Sequence, residues 1–284
     1  MVFNKNYCFL ILLSLLLLSF SAGDKNKNDL QKNNLHGKVK LIHLYNYGLW
    51  DEKTFTINPH SISITDTNYD YESKYDKSGN ETEWSWNRGR KSINIFDKSG
   101  NLIMQTLYDK SGKQFLLDSL KYDINTNTNE HLSYCLNDSN QFILVLKSIS
   151  KVDKYGNLME RNNHSNDTNF NSKIFFKYDL KGNNVENDTY NPDGKFIRKG
   201  LYKYDNKGNK TESYEYEDSS IPTYIYKYDE HDNVVEESHF FNTKKLMDYY
   251  TNKYEYDKKG NWIKKITYKD NKPFQAHIRV IGYY

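Results

Sequence analysis

Apolar and polar residues alternate in short runs over most of the chain, and clusters of Asp, Gly, Asn and Lys separate the runs. Ile174, Phe176 and Tyr178 share one side of such a run, with Lys173 and Lys177 on the other. Tyr202 and Tyr204 repeat the pattern, as do Tyr224, Tyr226 and Tyr228, then Tyr254 and Tyr256. Alternation with a period of two predicts half-buried β-strands. No long apolar stretch with helical spacing interrupts them.

The clusters between runs predict the reversals. Tyr178-Asp179-Leu180-Lys181-Gly182-Asn183 returns as Tyr204-Asp205-Asn206-Lys207-Gly208-Asn209, a period of ~26 residues. The lesser turn Tyr190-Asn191-Pro192-Asp193-Gly194-Lys195 lies between them. An Asp side chain accepts a backbone N–H two residues on, and Gly takes the left-handed position without steric cost. The spacing therefore predicts a type I turn closed by a bulge at Gly, a common link between antiparallel strands. The same signature stands at Tyr75-Asp76, Phe96-Asp97, Tyr108-Asp109, Asp153, Tyr228-Asp229 and Tyr256-Asp257, and weakly at Tyr122-Asp123. The predicted architecture is all-β: an antiparallel β-meander, solenoid-like, built from ~26-residue hairpin repeats.

Residues 37–284 are expected to form a single repeat domain. Val39, Ile42 and Leu44 begin its first strand, and Phe55, Ile57, Ile62 and Ile64 suggest two more joined at Asn58-Pro59. Residues 124–140 and 161–172 read as polar insertions. Between them Phe142-Ile143-Leu144-Val145-Leu146 is the most apolar run, expected to be covered on both faces. Residues 277–284 read as a capping strand that blunts the open edge of the array.

Ahead of the repeats, residues 1–23 read as a secretory signal: Lys5, an apolar run from Phe9 to Phe20, then Ser21, Ala22 and Gly23. The run is shorter than the ~20 residues of a membrane span. Export to the periplasm, cell surface or medium follows, with no stable membrane span after cleavage. Residues 24–36 are polar and read as a flexible leader. Of the two cysteines only Cys135 remains after cleavage, so no internal disulfide is expected, and the thiol reads as buried and inert.

Composition sharpens this picture. Hydrophobic residues make up 37 %, yet Tyr alone supplies 26 residues. Tyr buries a ring while leaving its hydroxyl wet, which suits a thin sheet. The formal charge of +3 comes from Lys scattered among Asp and Glu. Without a single-sign stripe, a nucleic-acid partner is not expected.

The Tyr-Asp-x-x-Gly-Asn turns and their alternating Asp-Gly half-turns resemble those of the YD-repeat (Rhs-repeat) proteins of bacteria. The resemblance covers residues 75–268, interrupted from 124 to 151. The opening Gly37-Lys38-Val39-Lys40 and the close at residues 254–268 resemble small exported members of that group. In large members the resemblance implies a ribbon of sheet spiralling into a shell around a C-terminal toxin. This chain has too few repeats for such a shell and no separate domain after Tyr268, so only the repeat architecture carries over.

Candidate chemistry is sparse. Asp76, Ser78 and Asn80, like Asp97, Ser99 and Asn101, resemble the start of a calcium loop but lack its late bidentate carboxylate, so the turn explains them. His231 between Glu230 and Asp232 has no second histidine at a paired spacing. No nucleophile elbow, zinc-protease motif or phosphate loop is present. No catalytic residue, metal ligand or cofactor is assigned. Trp84, Trp86, Tyr202, Tyr226 and Trp262 are candidates for stacking on sugar rings, against the commoner role of strand packing. The expected function is a non-catalytic binding or scaffold module of the envelope or exterior, with a glycan or envelope protein as partner. The alternative is a polysaccharide hydrolase with a carboxylate pair in residues 124–172.

Overall fold

The computed structural model describes residues 27–48, 70–86, 89–167, 170–215, 221–240 and 245–284. The signal at 1–23, the Asn58-Pro59 strands and Cys8 lie outside the described residues.

The predicted reversals form as their residues dictate. In the hairpins opened by Asp76, Asp97, Asp109, Asp153, Asp179, Asp205, Asp229 and Asp257, the Asp N–H donates to the carbonyl four residues on. The N–H three residues on donates back to the Asp carbonyl. Each Asp Oδ1 also accepts the backbone N–H two residues on, at 2.8–2.9 Å. The strand register slips at the preceding position, between Lys177 and Tyr178, Lys203 and Tyr204, or Glu255 and Tyr256, which is the expected bulge. These donors hold the carboxyls of Asp97, Asp109 and Asp179 below their usual range, with Asn101, Ser111 and Asn183 the largest causes respectively.

Gly208 shows what the turn requires. Its φ is +93°, a region where a β-branched side chain is strained. Gly208→Val is expected to destabilise by about 1–2 kcal/mol, whereas Lys207→Val forfeits a surface ion pair to Asp232 and an exposed hydrogen bond to the Glu230 carbonyl, worth about 0–1 kcal/mol. Equal urea midpoints for the two variants would refute the turn assignment.

The 18 strands among the described residues belong to one antiparallel sheet. Two compact units divide it, residues 91–199 and residues 27–90 with 200–284. In the first unit β4 (Arg90–Phe96), β5 (Leu102–Tyr108), β6 (Gln114–Asp123), β7 (Thr128–Leu136), β8 (Phe142–Val152), β9 (Leu158–Ser165), β10 (Ser172–Tyr178) and β11 (Asn184–Tyr190) follow in sequence. One face from β5 to β9 is buried and mixes Leu107, Leu116 and Leu158 with Ser133, Ser148 and Ser150. Its polar groups pair across strands: His131 Nε2 lies 3.0 Å from Asp118, and Ser148 donates to Asn163 at 2.7 Å. Cys135 is buried on the same strands. The opposite face carries ion pairs, with Glu160 between Lys151 and Lys173, and Glu186 between Lys177 and Lys199.

These ion pairs set an acid limit. The Glu160 carboxyl is held down to about 2, first by Asn162 and then by its lysines, and Glu186 likewise by Lys177. An unfolded Glu titrates near 4.5, so the folded state binds fewer protons between these values. The stabilisation is complete above pH ~4.5 and drains as pH falls toward 2. The melting temperature is expected to fall over that interval, and E160Q/E186Q should flatten the slope. An unchanged slope in the double variant would contradict this assignment.

Two expectations change in this unit. Residues 124–140 and 161–172 are not wholly excursions: β7 and much of β9 lie within them. Their polarity reflects a buried face built from Ser, Asn and His. The run from Phe142 is not covered on both sides either. Phe142, Ile143 and Leu144 are exposed, and Leu146 is the buried member.

In the second unit β12 (Phe196–Tyr204), β13 (Lys210–Tyr214), β14 (Tyr224–Tyr228), β15 (Val234–Phe240), β16 (Leu246–Tyr256), β17 (Trp262–Lys269) and β18 (Lys272–Tyr283) lead to β1 (Val39–Gly48), β2 (Tyr71–Tyr75) and β3 (Glu81–Trp86). β1 pairs on one side with β18 and on the other with β2. This overturns the open, solenoid-like meander: the strand order is that of a closed antiparallel barrel, and the all-β class alone stands. β18 is a junction rather than a cap. The physical reason is that a free edge leaves a row of unpaired N–H and C=O groups, which closure removes.

Residues 27–36, expected to be flexible, carry a docked helical turn, α1 (Asp29–Lys32). Asn28 caps it reciprocally with Gln31. Asn28 donates to the Ser78 carbonyl at 2.7 Å, and Asp29 accepts from Glu81 N–H at 2.8 Å. Leu30 and Leu35 pack on Val39, Ile42 and Tyr75. Two buried leucines are enough to seat a segment whose composition is otherwise polar.

Candidate functional site

Residues paired across antiparallel strands share a face, so the registers show what each face of the second unit presents. One face carries ion pairs: Lys203 with Glu212, Lys227 with Glu236, Lys74 with Glu72 and Glu83, and Lys264 with Glu255. The other is aromatic. Trp84 and Trp86 lie opposite Ser73 and Tyr71; Tyr202 opposite Ser213; Tyr226 opposite Glu237; and Trp262 opposite Tyr256. All five aromatics singled out in the sequence stand on this face and are half-buried.

The face resolves into clusters rather than one continuous ladder. Trp84 and Trp86 stack on each other with centroids 4.3 Å apart. Tyr226 runs parallel to Tyr224 at 6.2 Å, and His239 sets its edge to Tyr224 at 4.8 Å. Lys210 Nζ stands 4.1 Å over the Tyr202 ring. Trp262 lies 6.1 Å from Tyr254, and the Arg279 guanidinium sits 3.5 Å from the Trp262 centroid. Hydroxyls anchor the rings to neighbouring hairpins: Tyr254 donates to the Val234 carbonyl at 2.9 Å and Tyr228 to the Lys210 carbonyl at 2.7 Å. Tyr256 donates to Asp229 at 2.5 Å, and Tyr283 donates to Asp257. Two of the turn aspartates, Asp229 and Asp257, are thus tied to an aromatic of a later strand.

One cluster also gathers charge. Tyr254, Lys265, His277 and Asn46 form a transverse row across β16, β17, β18 and β1. Arg279 lies in the next row, opposite Leu44, which pairs in turn with Tyr71. His277 Nδ1 is 2.5 Å from Asn46 Oδ1. Burial, then the nearby charges of Lys265 and Arg279, push the His277 imidazole down to about 4. Burial lowers Lys265, and pushes Arg279 down to about 10. Burial raises the Tyr254 hydroxyl.

Sequence reasoning found the rings and missed the cations. The signal for His277 and Arg279 was present as two basic residues at strand spacing. That for Lys265 was masked by the bulge between Glu255 and Tyr256, which shifts the face assignment of β17. The other sequence candidates dissolve into turns. Asp76 Oδ1 and Oδ2 accept from Ser78, Asn80 N–H and the Asn80 amide. His231 packs on Tyr256, 4.3 Å between centroids. Among the described residues no group of three or more His, Cys, Asp or Glu is placed to hold a metal, and no helix is long and apolar enough to cross a membrane.

No protein-family model matches the chain, and no curated protein matches it in sequence. Among solved structures, a porin-like protein from Bacteroides uniformis is similar over 86% of this chain and 96% of its own, with 8% identity and a TM-score of 0.43. The Tc holotoxin pore of Photorhabdus luminescens matches 75% of this chain but only 17% of its own length, with 12% identity and a TM-score of 0.29. A Bacteroides fragilis protein of unknown function matches 48% of this chain and 94% of its own, with 14% identity and a TM-score of 0.25.

Proposed function

We propose that this chain is an exported, non-catalytic binding module, related to the small YD-repeat proteins, whose aromatic face takes a glycan. The observation that carries the reading is the placement of Trp84, Trp86, Tyr202, Tyr226 and Trp262 on one face of residues 27–90 and 200–284. Neighbouring Tyr228, Tyr254 and Tyr256 are anchored through their hydroxyls, so the surface around these rings is pre-organised and little ordering entropy opposes stacking of a sugar.

The hydrolase alternative draws less support. A general acid needs a raised pKa. In residues 124–172 Glu160 is held down to about 2 between its lysines. Glu130 is paired with Lys147 at 2.8 Å, and Asp153 is committed to its own turn.

A glycan array probed with the mature chain is expected to give a positive class, and Trp262→Ala should weaken it roughly tenfold, the equivalent of ~1.4 kcal/mol. An array without any positive, or a Trp262→Ala variant binding as the parent does, would remove the reading.

A further inference from the structure

We propose that Lys265, His277 and Arg279 form an anion-binding subsite within the aromatic face, and that the glycan taken there is acidic, bearing a carboxylate or sulfate group. The second half rests on the glycan reading above; the first does not.

The local gathering of cations carries the argument. Elsewhere in this unit lysines are matched by carboxylates, Lys264 by Glu255, Lys227 by Glu236 and Lys203 by Glu212 on the opposite face, and Lys269 by Asp248 on the aromatic one. On the aromatic face Lys265 and His277 stand directly opposite each other, and Arg279 follows two residues on. Directly opposed side chains have Cβ atoms about 4.5–5.5 Å apart, which sets the Lys265 ammonium beside the His277 imidazole. Among the described residues none of the three has a carboxylate within ion-pairing distance. The acidic groups that act on them are engaged elsewhere: Glu237 with His239 at 2.7 Å, and Asp70 with the Asn46 N–H at 2.6 Å.

Arg279 is placed as a receptor group would be. Its guanidinium faces Trp262, with 3.5 Å to the centroid, and among the described residues it makes no side-chain hydrogen bond. Stacking occupies the plane and leaves the N–H edge, which matches a carboxylate or sulfate bidentately. Lys265 supplies a second point charge from the adjacent strand. Trp262 and Tyr254 flank the cations, so a sugar ring stacked there would carry its acidic substituent to them.

The test compares three probes by calorimetry: a galacturonate hexasaccharide, its methyl ester, and inorganic sulfate read by thermal shift. The parent chain is expected to bind the acid at least tenfold tighter than the ester and to be stabilised by sulfate. Lys265→Met and Arg279→Met should abolish both effects, bringing the affinity for the acid down to that for the ester. His277→Gln serves if either variant fails to fold, and should reduce the preference for the acid. Sulfate stabilisation that Lys265→Met removes, without any sugar binding, would uphold the subsite and reject the glycan. Equal binding of acid and ester, with no sulfate effect, would reject the subsite and leave the glycan reading standing. No response to any of the three probes would reject the subsite.

Discussion

A chain ended after Asn271 is expected to lose its cooperative thermal transition. The cut removes β18, the strand paired on one side with β17 and on the other with β1. It deletes Ala276 and Ile278, both wholly buried, and uncovers Ile266 and Tyr268, which pack on Ala276. It also opens two edges in place of none at this junction. Losses on that scale approach the whole stability of a domain, about 5–15 kcal/mol. Far-UV circular dichroism on heating should show a broad, non-cooperative slope. A truncated chain melting within a few degrees of the parent would mean that β18 is an ornament on an open array.

Leu116→Ala carries the second large effect. Leu116 is wholly buried, opposite Leu107 and Cys135. Removing its side-chain carbons from a closely packed site costs the transfer term and leaves a cavity, about 2–5 kcal/mol together. Leu180, at a hairpin tip, is fully exposed, and Leu180→Ala should stay within about 0.5 kcal/mol. Urea midpoints of the two variants measure the difference. Comparable shifts would show that the face shared by β5, β6 and β7 is not the packed one.

Local features were legible in the sequence, and long-range ones were not. Asp followed by Gly at fixed spacing marks the reversals because both residues act within a few positions of themselves. The turn at residues 137–141 escaped notice since Asn137 replaces the carboxylate and Asn140, with a φ of +59°, replaces the glycine. The strands β7 and β9 read as insertions because many of their buried side chains are polar, some of them paired across strands, as in Asp118 with His131 and Ser148 with Asn163. Hydrophobicity alone does not report a face that is buried and polar.

Closure lay further out of reach. The pairing of Asn46 with His277 joins residues 231 positions apart, and hairpin periodicity is identical in an open ribbon and a closed one. The aromatic face was visible as alternating Tyr and Trp, each within its own strand. The row of Tyr254, Lys265, His277 and Asn46 depends on the bulge that resets β17 and on the β18–β1 pairing. The candidate anion subsite therefore exists only if the sheet closes as described.

Amide hydrogen exchange at Leu41, Ile42, His43 and Leu44 tests that closure most directly. Each of these residues faces a partner on both sides, Gly282 and Lys74 for Leu41, Ile281 and Ser73 for Ile42, Val280 and Glu72 for His43, and Arg279 and Tyr71 for Leu44. Backbone N–H groups point alternately to the two neighbours in an antiparallel strand, so a closed sheet protects all four in succession. Protection of every second amide only, with its neighbours exchanging as freely as a solvent-facing edge, would place β1 at a sheet margin and contradict the closed order.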